Sequence, residues 1–471
     1  MAETELAFMP ALEQRDLVRR REVSPTELVD VHLERIERLN PQLDAYLTVA
    51  ADQAREAARL AEKTLSGAGD DIDAVPAFLG VPISIKDLNE TAGIRTTHGT
   101  AEWHDRVPDH DDAVVARIRR AGFVILGKTN TPEFGSRAVT QTPAYPPGRN
   151  PWDTARTPGG SSGGAGAAVA AGLGSVAQGS DGGGSIRVPS AWCGVFGIKP
   201  SRGRVSSAPG PQSWNATNGP IARTVADAAA LLDVMAGAAV GDVWQIPAPE
   251  RPYLDEVGEP PPRLRVAWTT QPVDPDTVVE PAWRDAVTST VALLEDLGHE
   301  TLEVELPPLD VSTLALVPAS GTAARLDLPP TETLDTTNQT LIAYAGAMSA
   351  KDLMVAEHEI QRVTRTFAEW FEGFDVLLTP TMTAAPPPVG EAAMGDEDFA
   401  GMLELMKLVA FTPMANMTGQ PAVAVPAGLD GNGLPVSVQV VGRPLAEATI
   451  IRVAAQLEEA RPWAHLRPPV S

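Results

Sequence analysis

Two serines framed by glycine carry most of the chemistry open to this chain. Between Arg156 and Lys199 the sequence reads RTPGGSSGGAGAAVAAGLGSVAQGSDGGGSIRVPSAWCGVFGIK, with Ser161 inside Gly159-Gly160-Ser161-Ser162-Gly163-Gly164 and Ser185 directly after Gly182-Gly183-Gly184. A serine hydroxyl attacks a carbonyl only when a base removes its proton and hydrogen-bond donors stabilise the oxyanion. Consecutive glycines accept φ > 0 at little cost, so N–H groups beside Ser185 can converge on one point. Ser161 precedes a small-residue helix, and the first N–H groups of a helix have no partner within it.

The base is the next question. Seven histidines are present, His32, His98, His104, His110, His299, His358 and His465. None stands near a G-x-S-x-G in a strand-turn-helix setting, although Ser-His-Asp arrangements recur on unrelated folds. Lys86 is the other candidate, at the end of the apolar run PISIK. Burial disfavours the charged form of a lysine and so lowers its pKa. Taken alone, such a lysine more often reaches solvent or pairs with its neighbour Asp87, because lysines are seldom fully buried. The glycines alone also admit flexible loops or a phosphate cradle, but the Gly-Lys-Ser/Thr of a Walker-type loop is absent.

Composition narrows the partners. The 471 residues include 61 acidic and 37 basic side chains, a formal net charge of −24. Phosphate binding needs a basic footprint, so neither nucleic acid nor an anionic membrane is expected as the main partner. Acidity of this kind serves solubility. Cys193 is the single cysteine, in the apolar stretch AWCGVFGI, which argues for a buried inert thiol and against disulfides or a cysteine metal cluster. The start MAETELAFMP lacks the basic-then-apolar order of a signal peptide, and AAVAAGLGSVA is too short to span a bilayer. A soluble, cytoplasmic protein is expected.

The elements that must position these residues alternate. Ser24-Pro25-Thr26-Glu27 has the form of a capping box with proline in the first turn, and Asn40-Pro41 is expected to end that helix. A helix through 51–65, a strand ending at Lys86-Asp87, a helix at 111–122 and the strand FVILGKT follow. TNTPEFGS should be loop or short helix, and 141–158 a long surface connection. After the serine stretch come a Thr224-capped helix to Gly237, a proline-rich acidic linker over 238–262, and a strand-helix-strand unit to residue 306. Residues 307–350 are irregular. A helix from Lys351 to Phe374, the strand DVLLTPTM, a helix near 398–411, a hairpin through Asp430-Gly431-Asn432-Gly433 and a last helix, EATIIRVAAQLEEA, complete the chain. This rhythm predicts one α/β domain over 1–471, built on a large mixed central β-sheet with helices on both faces.

Several linked motifs bear a family likeness. PGGSSGG, a small-residue helix and GSDGGGSIRVPSAWCGVFGIKP resemble the signature of the amidase signature family. So do GVPISIKDLNETAG, LGKTNTPEFG, RNPWD, FTPMANMTGQPAVAVPAG and GLPVSVQVVG, in order along nearly the whole chain. The resemblance divides the domain into a helical cover (1–70), a catalytic core (80–235), a variable substrate-pocket region (238–350) and a C-terminal part of the same sheet (351–471). It implies Ser185 as nucleophile, Ser161 as bridging serine after a cis peptide bond, and Lys86 as general base. Gly182, Gly183, Gly184 and Ser185 would supply oxyanion donors, and Gly135 and Ser162 would bind substrate. Asp181 and Arg187 would brace the loop. No metal or cofactor is implied. The likeness is greatest to the branch of 6-aminohexanoate cyclic-dimer hydrolases and aryl acylamidases, which implies small non-peptide amides, anilides and carbamates as substrates, handled by a monomer or homodimer. Segments 140–155, 205–220 and 307–350 would set substrate choice, and Trp192 and Trp214 would line an apolar pocket. Two other readings stand beside this one: the amidase subunit of a tRNA-dependent amidotransferase, and a non-catalytic glycine-loop binding protein.

Overall fold

Ser24 Oγ accepts the Glu27 N–H at 3.1 Å while Glu27 accepts the Ser24 N–H at 2.9 Å, so the expected capping box opens the helix Pro25–Leu43. In this computed structural model, which describes residues 3–69, 71–308, 321, 323–325, 328–390 and 399–471, that helix runs past Pro41 instead of stopping there. A proline this near the C-terminus removes only one intrahelical bond. The chain leaves through Asp44 in the left-handed region, and the Asn40 side chain bonds both the N–H and the C=O of Tyr46.

Eleven strands form one sheet among the described residues. In chain order they are β1 Tyr46–Val49, β2 Pro82–Lys86, β3 Val124–Thr129, β4 Val176–Asp181, β5 Phe196–Lys199, β6 Thr217–Ala222, β7 Arg265–Trp268, β8 Glu300–Glu303, β9 Val376–Pro380, β10 Ala422–Leu429 and β11 Pro435–Gly442. Their spatial order is β1-β3-β2-β4-β6-β5-β10-β11-β9-β7-β8. The sheet is mixed: β2 runs parallel to β3 and β4, and β7 to β8 and β9, while the other neighbours are antiparallel.

Side chains alternate across a strand, and the cores follow that alternation. Ile125, Val423 and Leu378 join the largest apolar cluster, with helices Ala113–Arg120 and Val225–Met235. Their strand neighbours Val124 and Leu126, Ala422, and Leu377 join clusters on the other face, under helices Pro25–Leu43, Ala51–Gly67 and Ala350–Phe371. The sheet is therefore covered by helices on both faces, as expected.

β1, β4, β5 and β6 lie where periodicity drew no strand. β6 reads TNGPIA, and its Pro220 stands opposite Gln178 of β4 inside the sheet. Glycine and proline both argue against a central strand; here pairing with β4 and β5 overrides local preference. Within 307–350, described in part, a helix Thr336–Gly346 forms behind Asp335, whose side chain accepts the Asn338 N–H at 2.8 Å. No helix among the described residues is long and apolar enough to cross a membrane.

Candidate active site

β2 delivers Lys86 to the interior. Ile83 and Ile85 pack into the largest core cluster, so alternation sends Ser84 and Lys86 to the opposite face, which the helix Gly163–Ala170 covers. The Lys86 side chain is fully buried. Its Nζ lies 2.7 Å from Ser161 Oγ, 3.0 Å from Ser180 Oγ and 3.4 Å from the Ser180 carbonyl. Burial lowers its pKa to about 7 against the opposing pull of the Asp181 charge. At that value a large share of the amine is neutral near pH 7. Two acceptors at Ser180 then match its two N–H bonds, and the lone pair is left for the Ser161 hydroxyl. Where the β2–β4 ladder ends, the Lys86 N–H donates to the Gln178 side chain at 3.1 Å, and Gln178 in turn donates to Asn89 and Asn218.

Ser161 follows a cis peptide bond with Gly160, and its side chain is buried. The Ser162 N–H donates to the Ser185 carbonyl at 3.1 Å, which brings the second serine alongside the first. Ser185 is partly exposed, whereas Ser161 is buried. Gly135 also borders the site. It has φ +73°, and a Cβ there would lie 3.2 Å from Ser161 Oγ and 2.6 Å from Leu88 Cδ1. The Gly135 N–H is donated to Pro132 at 2.9 Å.

Ser162, expected to bind substrate, turns its hydroxyl to β4. Its buried hydroxyl donates to the Ser180 carbonyl at 3.1 Å and accepts the Ser180 N–H at 3.3 Å. Its one donor and one of its two acceptor sites join the serine loop to β4.

The glycine loop is wound around one carboxylate. Asp181 accepts the N–H of Gly184 at 2.8 Å and of Ile186 at 3.1 Å, and forms a buried ion pair with Arg187 at 2.8 Å. Burial alone would raise the Asp181 pKa, but the Arg187 guanidinium holds it well below the usual carboxylate range. Arg187 also donates to the Thr412 carbonyl and to the side chains of Asn416 and Gln439. The bracing expected of this pair is therefore a network with partners more than 220 residues away. One expected oxyanion donor is used up by it, since the Gly184 N–H belongs to Asp181. Gly184 has φ +126°, and a Cβ on it would come 2.3 Å from Thr412 Oγ1, so glycine is required there. The N–H groups of Gly182, Gly183 and Ser185 have no acceptor among the described residues.

Sequence reasoning assigned no role to Ser180, Gln178, Asn215, Thr412 or Asn416. Thr412 and Asn416 lie within FTPMANMTG, a stretch that carried the family likeness without any sign of what its side chains touch. Trp192 does not line a pocket: it is fully buried, with Nε1 donating to the Ala384 carbonyl at 3.0 Å. Trp214 is half-buried and packs on Trp244 and Arg202. Cys193 is buried, and desolvation pushes its thiol pKa far up. Among the described residues no group of three or more His, Cys, Asp and Glu side chains could hold a metal ion.

Comparison with known proteins concerns the whole chain. Residues 27–451 match the family model described as Amidase. The chain is 39% identical over 466 residues to a putative amidase of Synechocystis sp., covering 97% of this chain and 89% of that protein. It is 36% identical to the 6-aminohexanoate-cyclic-dimer hydrolase of Paenarthrobacter ureafaciens, with 98% and 96% covered. A solved structure of 6-aminohexanoate cyclic dimer hydrolase superposes with a TM-score of 0.90 at 33% identity, covering 98% of this chain and 99% of that one.

Proposed function

The chain belongs to the amidase family, and from that premise we propose that it is a serine amidohydrolase for small non-peptide amides, working through an acyl-enzyme on Ser185. The observation that carries this reading is the buried contact of 2.7 Å between Lys86 Nζ and Ser161 Oγ, made by an amine whose pKa lies at about 7. A lysine so placed is a base tuned to neutral pH.

Neutral Lys86 takes the proton of Ser161 as Ser161 takes that of Ser185, and Ser185 Oγ attacks the amide carbonyl. The new C–O bond makes a tetrahedral oxyanion, which the N–H groups of Gly182, Gly183 and Ser185 receive. The proton returns through Ser161 to the substrate nitrogen, the C–N bond breaks and the amine departs. Water then repeats the relay on the ester: it loses a proton to Ser161 and Lys86, attacks the acyl carbon, and Ser185 leaves with its proton restored. With its own N–H engaged by Pro132, Gly135 has its carbonyl left for a substrate N–H.

Anilides and linear or cyclic amides are the proposed substrates, on the likeness to a cyclic-dimer hydrolase. Aryl carbamates present the same carbonyl beside an alkoxy oxygen and enter the same scheme. The test is a hydrolysis panel of anilides, oligoamides and aryl carbamates on the purified chain, with fluorophosphonate labelling. Turnover without a partner protein, and a label on Ser185 that is absent from Ser185→Ala, are expected. An unlabelled Ser185 with no turnover of any panel member would reject the proposal, and ammonia transfer only with a partner would favour an amidotransferase subunit.

A further inference from the structure

The Gly182–Gly183 peptide is held by protein at one end only, and from this we infer that Asn215 is a positioning residue for the oxyanion site, aiming the Gly183 N–H at the reacting carbonyl oxygen. The inference rests on the reading of Ser185 as nucleophile.

Two successive peptides of the loop make the contrast. The carbonyl of Gly183 accepts Thr412 Oγ1 at 2.6 Å, and the N–H of the same peptide, on Gly184, donates to Asp181 at 2.8 Å. Both ends are taken, so this peptide is a strut. The carbonyl of Gly182 accepts Asn215 Nδ2 at 2.8 Å, while the N–H of that peptide, on Gly183, has no acceptor among the described residues. In a trans peptide the C=O and N–H point in nearly opposite directions. Fixing the Gly182 carbonyl on Asn215 thus turns the Gly183 N–H away from Asn215.

Asn215 is suited to this part because it is itself held. Its Oδ1 accepts Ser213 Oγ at 2.7 Å, which orients the amide with Nδ2 toward Gly182. Its backbone carbonyl accepts Asn416 Nδ2 at 2.8 Å, and the same Nδ2 reaches the Asp181 carbonyl at 3.0 Å. The residue that orients the free peptide is thereby tied to the residue that braces the loop. Asn215 lies in segment 205–220, so a stretch expected to select substrate also touches the catalytic loop.

Such a device has a reason to exist. Gly183 has negative φ, but glycine accepts either sign almost equally. A flip of the Gly182–Gly183 peptide would carry φ of Gly183 to positive values and turn its N–H out of the site. Asn215 opposes that flip. An alanine at 183 would oppose it independently, and a Cβ there meets nothing within 4 Å.

The test compares kcat and KM for one amide substrate in wild type, Asn215→Ala, Asn215→Asp, Gly183→Ala, the double variant Gly183→Ala/Asn215→Ala, and Ser185→Ala. Asn215→Ala is expected to lower kcat about 10- to 100-fold with KM within about threefold, since loss of an oxyanion donor acts on the transition state. Asn215→Asp keeps the shape, loses the donor and should lose at least as much. In the Gly183→Ala background, Asn215→Ala should cost less than about threefold, because the alanine already resists the flip. Wild-type kcat in both Asn215 variants, or the same fold-loss in both backgrounds, would overturn the inference while an inactive Ser185→Ala leaves the nucleophile standing. Full turnover by Ser185→Ala would instead remove the nucleophile and the inference with it.

Discussion

Lys86 Nζ meets Ser161 Oγ at 2.7 Å in a setting of hydroxyls, with no carboxylate of the described residues within ion-pair distance. Lys128 provides the contrast on the neighbouring strand: it is equally buried, but Asp87 stands 4.0 Å away and its pKa is lowered only to about 8. Hydroxyls satisfy an amine without favouring its charge as an anion does.

The pH dependence follows with a definite sign. Only the neutral amine has a lone pair, and the fraction of neutral Lys86 grows as pH rises through about 7. kcat/KM should therefore climb between pH 6 and 8 and level off above. Lys86→Arg, charged throughout, should lose at least about 1,000-fold at every pH. A rate that falls steadily from pH 6 to 9 would remove Lys86 as the base.

Ser180 supplies two acceptors to the same amine, through Oγ at 3.0 Å and its carbonyl at 3.4 Å. Ser180→Ala deletes the better one, and the charged amine loses more than the neutral one because charge-assisted bonds are stronger. The rising limb of the pH–rate profile should shift toward acid while the plateau drops about tenfold. An unshifted limb would show that Ser180 does not influence the protonation of Lys86.

Removing either charge of the Asp181–Arg187 pair leaves the other buried and unpaired. Asp181→Asn should cost about 3–5 kcal/mol of unfolding free energy, measured in urea, and abolish turnover with it. The folded-state pKa of Asp181 is depressed, so its stabilisation is fully present above the ordinary carboxylate value and is lost only as pH falls toward the depressed one. The wild-type minus Asp181→Asn stability difference should thus not decline as pH falls from about 8 to 5; it should grow there, because Lys86, whose charged form the carboxylate favours, becomes protonated near pH 7.

At Gly135 a side chain would meet both strain and contact. Its φ is +73°, and a Cβ would lie 2.6 Å from Leu88 Cδ1 and 3.2 Å from Ser161 Oγ. Gly135→Ala should cost about 1–2 kcal/mol from the left-handed backbone alone, and should lower kcat/KM more than an alanine at the exposed Gly67 does. Equal kinetics for the two variants would place Gly135 outside the site.

Much of this was legible in the order of residues. The alternation that buries Ile83 and Ile85 also sends Lys86 to the other face, and the glycines around Ser161 and Ser185 mark backbone that other residues resist. The capping box at Ser24 and the hairpin through Asp430–Gly433 depend on contacts between near neighbours, and both stand as read. β6 did not, because Gly219 and Pro220 are poor strand residues until β4 and β5 hold them from either side.

The family likeness, the α/β rhythm and the choice of which serines and lysine to compare rest on residue type and short spacing. Tertiary structure alone decided that Lys86 sits among hydroxyls, that Ser162 braces β4, and that the Gly184 N–H is spent on Asp181. It also brought Asn215, Thr412 and Asn416 to the glycine loop from positions up to 235 residues away. A pKa and a free N–H depend on what surrounds a group in three dimensions, and no local pattern in the chain carries that information.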